Sequence, residues 1–199
     1  TSGFHPWTRE EVTQFEARHQ IGTKARLALA LMLYLGVRRG DLVTLGRQHV
    51  RDGVIRFVPL KTRRKKMHAI EIPIVAELAA IIEASPTGDL TFLTTEWGKP
   101  FTANGFGGWF RDRCDEAGLP HCSAHGLRKA GATIAAERGA TDRQLMAMFG
   151  WESSRQATTY TASADRKRLA AEAARLIAGD RKANIDCPTE LPHRIKAKG

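Results

Sequence analysis

At 199 residues and 22.0 kDa the chain has the length of one domain with room for a tail. Apolar residues at 42% are enough for a buried core, which excludes a wholly disordered chain. Lys and Arg outnumber Asp and Glu by 31 to 21, and the net charge of +10 favours a polyanionic partner, nucleic acid first. Cys114, Cys122 and Cys187 form no C-x-x-C pair, so a reduced, cytoplasmic chain is expected. The longest apolar run, Leu27 to Val37, is too short to span a bilayer, and no charged-apolar-small leader precedes it. Opening on Thr1-Ser2-Gly3 without methionine, the sequence reads as a fragment of something longer.

Helical periodicity dominates. Thr8-Arg9-Glu10-Glu11 fits a capping box and predicts a helix over about 9–19. Thr23 caps a second through Leu35, ended by Gly36, which leaves Arg38 and Arg39 just beyond a buried helix end. The period then changes. Val54, Arg56, Val58 alternate with Ile55, Phe57, Pro59, and Met67, Ala69, Glu71 with His68, Ile70, Ile72, predicting two strands. Their connection, Lys61-Thr62-Arg63-Arg64-Lys65-Lys66, is basic at five of six positions. It reads either as a solvated turn that blunts aggregation or as a finger laid into a DNA groove.

A helix is expected from Ile74 to Ala84, stopped at Ser85-Pro86-Thr87-Gly88, and a short third strand over Leu90 to Thr94. Thr102 caps a helix to Ala117, with Gly118 and Pro120 as stops. Ser123 or Ala124 opens the next, which holds His125 and Arg128 and ends near Gly139. Thr141 caps a short helix to Phe149. Ser153 and Ser154 offer caps for one carrying Tyr160, and Ala164 to Ala178 is a strong helix former. The basic stretch 179–199, with Pro188 and Pro192, reads as a tail that is mobile or docked onto a neighbour.

Three signatures carry chemistry, and their order matters more than any one alone. They are Leu35-Gly36-Val37-Arg38-Arg39-Gly40-Asp41-Leu42, Ala124-His125-Gly126-Leu127-Arg128-Lys129, and Met148-Phe149-Gly150-Trp151 followed by Ala157-Thr158-Thr159-Tyr160. With the basic hairpin between the first two, the pattern resembles the catalytic domain of the tyrosine recombinases, the phage-integrase family. That family carries G-x-R-x-x-E/D-L, a hairpin lysine, H-x-x-R, G-H/W and then a tyrosine, and the resemblance covers roughly residues 4 to 178.

The resemblance implies an α+β fold, mainly α-helical with a small antiparallel β-sheet. It implies a catalytic domain over 1–178, with the N-terminal core-binding domain absent from this chain. The implied activity is that of a site-specific recombinase or integrase, a DNA strand transferase with chemistry like that of type IB topoisomerases. Catalytic roles would fall on Arg38, Lys61, His125, Arg128, Trp151 and Tyr160, with Asp41 orienting Arg38 or His125. Double-stranded DNA and a homo-tetramer on it would be the partners, with no cofactor, metal, membrane or small-molecule substrate. The hairpin lacks the family's usual glycine, so Lys65 or Lys66 competes with Lys61 for the lysine role.

The residue types support that chemistry on their own terms. Two guanidiniums suit the two non-bridging oxygens of a phosphodiester, because they are planar and always charged. A tyrosine hydroxyl titrates near 10 and needs a neighbour to accept its proton, which His125 can do. The departing 5′ oxygen needs a proton that a hairpin lysine can deliver. The indole N–H of Trp151 can donate to the phosphate while its ring packs the site.

Each residue alone has a plainer reading: Arg38 as a helix-terminal cation, His125 as a helix-start histidine, Tyr160 as a half-buried aromatic. Tyr34, within the apolar run, reads as core. So do Trp109 and Phe110, although with Trp97 they could stack on bases. Cys114, His121, Cys122 and His125 match no zinc-ligand spacing, and adjacent His121 and Cys122 are expected to project apart. No nucleotide-binding glycine motif is present. The main rival is a non-catalytic DNA-binding protein, either a decayed recombinase or a regulator whose helix-turn-helix spans Thr141 to Thr161. A metal-dependent nuclease is a weaker rival, since the acidic residues do not cluster for two metals.

Overall fold

The computed structural model describes residues 3–61 and 69–178. It divides into two compact units, Thr1–Asp165 and Arg166–Gly199, ahead of the division expected after 178. The first unit is built from helices α1 (Arg9–Arg18), α2 (Lys24–Leu35) and α3 (Arg39–Leu42), then strands β1 (Val50–Arg51), β2 (Val54–Phe57) and β3 (Ile70–Pro73). Helices α4 (Ala76–Ala84), α5 (Ala103–Glu116), α6 (Ala124–Glu137) and α7 (Asp142–Phe149) follow, and α8 runs Ser154–Ala178. Of the second unit, the described part is helical, with an i,i+4 pair of Arg168 and Glu172 at 3.9 Å.

Helix starts follow the caps in the sequence. The Thr8 hydroxyl accepts from the Glu11 amide at 3.2 Å, and the Glu11 carboxylate accepts from the Thr8 amide at 2.7 Å. Thr23, Thr102, Ser123 and Thr141 each accept from the amide three residues on. The most apolar helix, α2, buries Ala25, Leu27 through Met32, and Leu35. It lies against α4 and α6, with α3 and α5 also on its surface. An aromatic row extends this core: Phe15 to Phe110 at 5.4 Å, Phe110 to Phe106 at 5.6 Å, and Trp7 to Phe15 at 5.5 Å. A smaller cluster of Ala132, Ala136, Leu145, Phe149 and Ala157 joins α6, α7 and the start of α8.

The sheet has the order β1-β2-β3, antiparallel throughout, with Ile55 opposite Ile72 and Phe57 opposite Ile70. Ile55, Phe57, Ile70 and Ile72 are buried while Arg56 and Glu71 face out and pair at 3.2 Å, as the alternation predicts. The hairpin connection from Thr62 to His68, including Lys65 and Lys66, lies outside the described residues, as does the tail from 179.

Two expectations need correction, and one strand leaves no trace in the sequence. Strand β1 has only two residues, too few to show a period. Leu90 to Thr94 is no strand: Thr91, Phe92 and Leu93 are all buried, so one face does not alternate with another. Its bonds form no ladder: the Thr91 carbonyl accepts from Gly88 at 2.9 Å, the Phe92 amide donates to the Leu45 carbonyl at 2.8 Å, and Thr94 alone bridges, to Pro100. The two helices expected around Tyr160 and over 164–178 are one element, α8. Tyr34, read as core, is half-buried and packs against the core cluster.

Phe110 touches three other rings and is fully buried, so Phe110→Ala removes the middle of the aromatic row. Urea denaturation should register a loss of about 3–5 kcal/mol in unfolding free energy. A loss below about 1 kcal/mol would show that the row is not part of the core.

Candidate active site

One cavity of about 300 Å³ in the first unit is lined by Arg38, Lys61, His125, Arg128, Trp151 and Tyr160, together with Lys129, Gln156 and Thr159. All six catalytic candidates therefore meet, although they span the chain from the end of α2 to α8. Two clamps bring them there, one on Arg128 and one on Tyr160.

Arg128 projects from α6 between two helix ends. Its guanidinium donates to the Gly36 carbonyl at the end of α2 and, at 2.7 Å, to the Phe149 carbonyl at the end of α7. The same group lies 5.0 Å from the centre of the Phe149 ring and 6.0 Å from that of Trp151. C-terminal carbonyls carry the negative end of the helix dipole, so both helices face a cation with their favourable pole. Burial pushes the guanidinium down to about 10, with Arg38 adding repulsion while Asp41 and Tyr160 oppose it. At neutral pH it is still charged.

Gly36 makes this approach possible. It adopts φ +57°, and a Cβ there would press into the Phe149 ring. Arg38 follows at the N-cap of α3 and is half-buried.

Tyr160 is held by stacking. Its ring lies 5.4 Å from Trp151 at an interplanar angle of 10°, and Trp151 in turn stacks on Phe149 at 4.9 Å. Further contacts fix α8 against α7: the Asp142 carboxylate accepts from the hydroxyls of Thr158 and Thr161. Ala157 and Thr161 are buried by this packing, so α8 does not stand free as a groove-reading helix would. Burial pushes the Tyr160 phenol up, against the pull of Arg128. The His125 imidazole is pushed below its usual range by burial first, then by Lys129, Arg128, Arg39 and Arg38. A neutral imidazole thus faces a neutral phenol inside a cationic cavity.

Asp41 has a different partner from the one expected. Its buried carboxylate accepts from the Leu60 amide at 2.7 Å, rather than orienting Arg38 or His125. That bond secures the chain immediately before Lys61, at the far end of the sheet connection. Its partner is a backbone amide, which leaves no trace in side-chain spacing.

Lys129, Gln156 and Thr159 were not singled out in the sequence. The signal was helical spacing: Lys129 is four residues after His125, and Gln156 is four before Tyr160. Phe4 was also missed; its ring lies 4.7 Å from that of His125. His121 and Cys122, expected to project apart, instead place their ligand atoms within 4.8 Å of one another, beside His5 and Glu11. A turn closed by the Cys122 amide on the Leu119 carbonyl, at 3.0 Å, precedes α6 and sets that direction.

The sequence matches the phage integrase family over residues 8–167. The chain belongs to the phage integrase family. It is 30% identical over 171 residues to the integrase of Mycobacterium phage L5, covering 74% of this chain and 46% of that one. With the integrase of Mycobacterium phage FRAT1 it shares 27% over 157 residues, covering 68% and 47%. The chain thus spans about half the length of the curated relatives it matches. In fold it is similar to XerA recombinase, with a TM-score of 0.70 at 19% identity over 86% of this chain and 65% of that one. A lambda integrase dimer bound to a COC′ core site gives a TM-score of 0.65 at 18% identity, covering 81% and 60%. The helical domain with a small antiparallel sheet is therefore the tyrosine recombinase catalytic fold. Among the described residues no helix is long and apolar enough to cross a membrane.

The Gly36 geometry can be tested directly. Gly36→Ala places a Cβ both in the left-handed region and against the Phe149 ring. Thermal unfolding should report a destabilisation of about 1–3 kcal/mol, and an unchanged melting temperature would contradict the close approach of α2 to α7.

Proposed function

We propose that this family member is the catalytic part of a site-specific DNA recombinase that cleaves and rejoins strands through a 3′-phosphotyrosyl intermediate. The observation that carries the reading is the convergence of Arg38, Lys61, His125, Arg128, Trp151 and Tyr160 on one cavity. Family membership and the net charge of +10 support duplex DNA as the substrate.

In this mechanism Arg38 and Arg128 hold the non-bridging oxygens of the scissile phosphate, where negative charge grows as phosphorus becomes five-coordinate. Trp151 adds an indole N–H and keeps the Tyr160 ring aligned by stacking. The Tyr160 oxygen attacks phosphorus and its proton passes to His125, whose lowered pKa keeps it in the accepting form. The bond to the 5′ oxygen breaks, and Lys61 supplies that oxygen's proton. The products are a 3′-phosphotyrosyl link and a 5′ hydroxyl. Attack by the 5′ hydroxyl of another strand reverses the steps, so the phosphodiester is conserved without ATP. Exchange between two duplexes requires several copies, and a tetramer on DNA is the assembly we propose.

The direct assay uses nicked suicide duplexes carrying a randomised core. The full chain should form a covalent protein–DNA adduct that Tyr160→Phe abolishes, and Arg128→Lys should slow adduct formation by about 10²–10³. Tight DNA binding without any adduct would instead favour the non-catalytic DNA-binding reading.

The pH profile gives a separate check. A base must be deprotonated to act, and burial with four neighbouring cations sets the His125 pKa below the ordinary 6.5. Cleavage should therefore stay level through neutral pH and fall only below 6.5 on acidification. The acid limb should disappear in His125→Gln. A limb centred above neutrality, or one that survives this substitution, would remove His125 from the role of base.

A further inference from the structure

Outside the residues that line the cavity, His5, Glu11, His121 and Cys122 bring four ligand atoms within 4.8 Å of one another. We propose that these residues form a zinc site that fastens the segment before α1 to the turn leading into α6. The site is distinct from the strand-transfer residues and does not depend on their reading.

The donor set argues for the metal. Two imidazoles, a thiol and a carboxylate make a mixed N/S/O tetrahedron, which suits zinc; magnesium and calcium take oxygen ligands. With Cys122 as thiolate, Glu11 as carboxylate and both histidines neutral, the four ligands carry two negative charges and balance a divalent ion. On binding, the Cys122 thiol gives its proton to solvent as the sulfur–metal bond forms.

Access and shielding also fit. Cys122 is fully buried and the Glu11 side chain is 14% exposed, while the His121 side chain is 51% exposed and leaves an entry path. Glu11 is able to serve both roles assigned to it. Its Oε2 accepts from the Thr8 amide at 2.7 Å, and its Oε1 faces His5 at 2.9 Å and His121 at 2.5 Å. Both imidazoles and the buried Cys122 thiol hydrogen-bond to the one Glu11 carboxylate, so all four donor groups already converge on a single point.

The site would sit where fixing the chain matters. Residues 4–7 lie along the start of α6: Trp7 Nε1 donates to the Ser123 carbonyl at 2.9 Å, and Lys129 Nζ donates to the Phe4 carbonyl at 2.8 Å. Gly126 leaves room for this strap, since a Cβ there would collide with the His5 carbonyl oxygen. Phe4 then reaches the His125 ring. A metal joining His5 to Cys122 would lock the strap three residues ahead of His125.

The experiment titrates zinc into the chelator-treated full chain by calorimetry and follows cobalt(II) substitution by absorption spectroscopy. The expected result is one equivalent bound, a higher melting temperature with zinc, and a thiolate-to-cobalt charge-transfer band that Cys122→Ser removes. His121→Ala, on an exposed side chain, should weaken zinc by at least the roughly 10–100-fold that loss of an outer-shell partner costs. It also decides the question should Cys122→Ser fail to fold. Cys114→Ala, outside the cluster, should leave the affinity unchanged. Absence of saturable binding, or undiminished binding in either ligand variant that folds, would overturn the site.

Discussion

The half-buried guanidinium of Arg128 is the joint on which the arrangement of the cavity turns. Its bonds to the Gly36 and Phe149 carbonyls tie the end of α2 to the end of α7 through α6. Those ends are also where the chain releases the other functional groups: Arg38 two residues after Gly36, and Trp151 two residues after Phe149. A buried charge is costly unless its donors are matched, and here two helix termini supply the match. With two backbone carbonyls accepting from it and the Asp41 carboxylate also acting on it, the guanidinium stays charged at neutral pH.

From that joint the electrostatics of the cavity follow. Arg38, Arg128, Lys61 and Lys129 surround one space that favours an incoming anion, and burial, with Lys129, Arg128, Arg39 and Arg38 beside it, lowers the pKa of His125. Tyr160 joins them from α8, aligned by an aromatic stack that begins at the Phe149 ring beside Arg128. The Arg128 guanidinium, the aromatic stack and the Tyr160 phenol are thus one contiguous packing unit. Asp41 extends it to the sheet by holding the Leu60 amide beside Lys61.

What the sequence revealed was what local physics encodes. Thr8, Thr23, Thr102, Ser123 and Thr141 marked helix starts because capping acts over three residues. The six candidates that line the cavity were legible because each lies in or beside a short signature, although for the hairpin lysine the sequence left Lys61, Lys65 and Lys66 open. Other features depend on distant partners. The two-residue β1 shows no period, and the segment after Leu90 buries three successive residues, Thr91 to Leu93, with no alternation. The Asp41–Leu60 bond joins a side chain to an amide, and the approach of Glu11 to His121 spans 110 positions. Lys129 and Gln156 stood at helical spacing from His125 and Tyr160, a signal that becomes specific only once those two are placed.

The most direct measurement is to trap the protein–DNA adduct, digest it with trypsin and locate the phosphorylated residue by mass spectrometry. The account predicts the nucleotide remnant on the Tyr160 oxygen. A remnant on Tyr34, or on a serine or threonine, would contradict the assignment of the nucleophile and the role given to the cavity around Arg128.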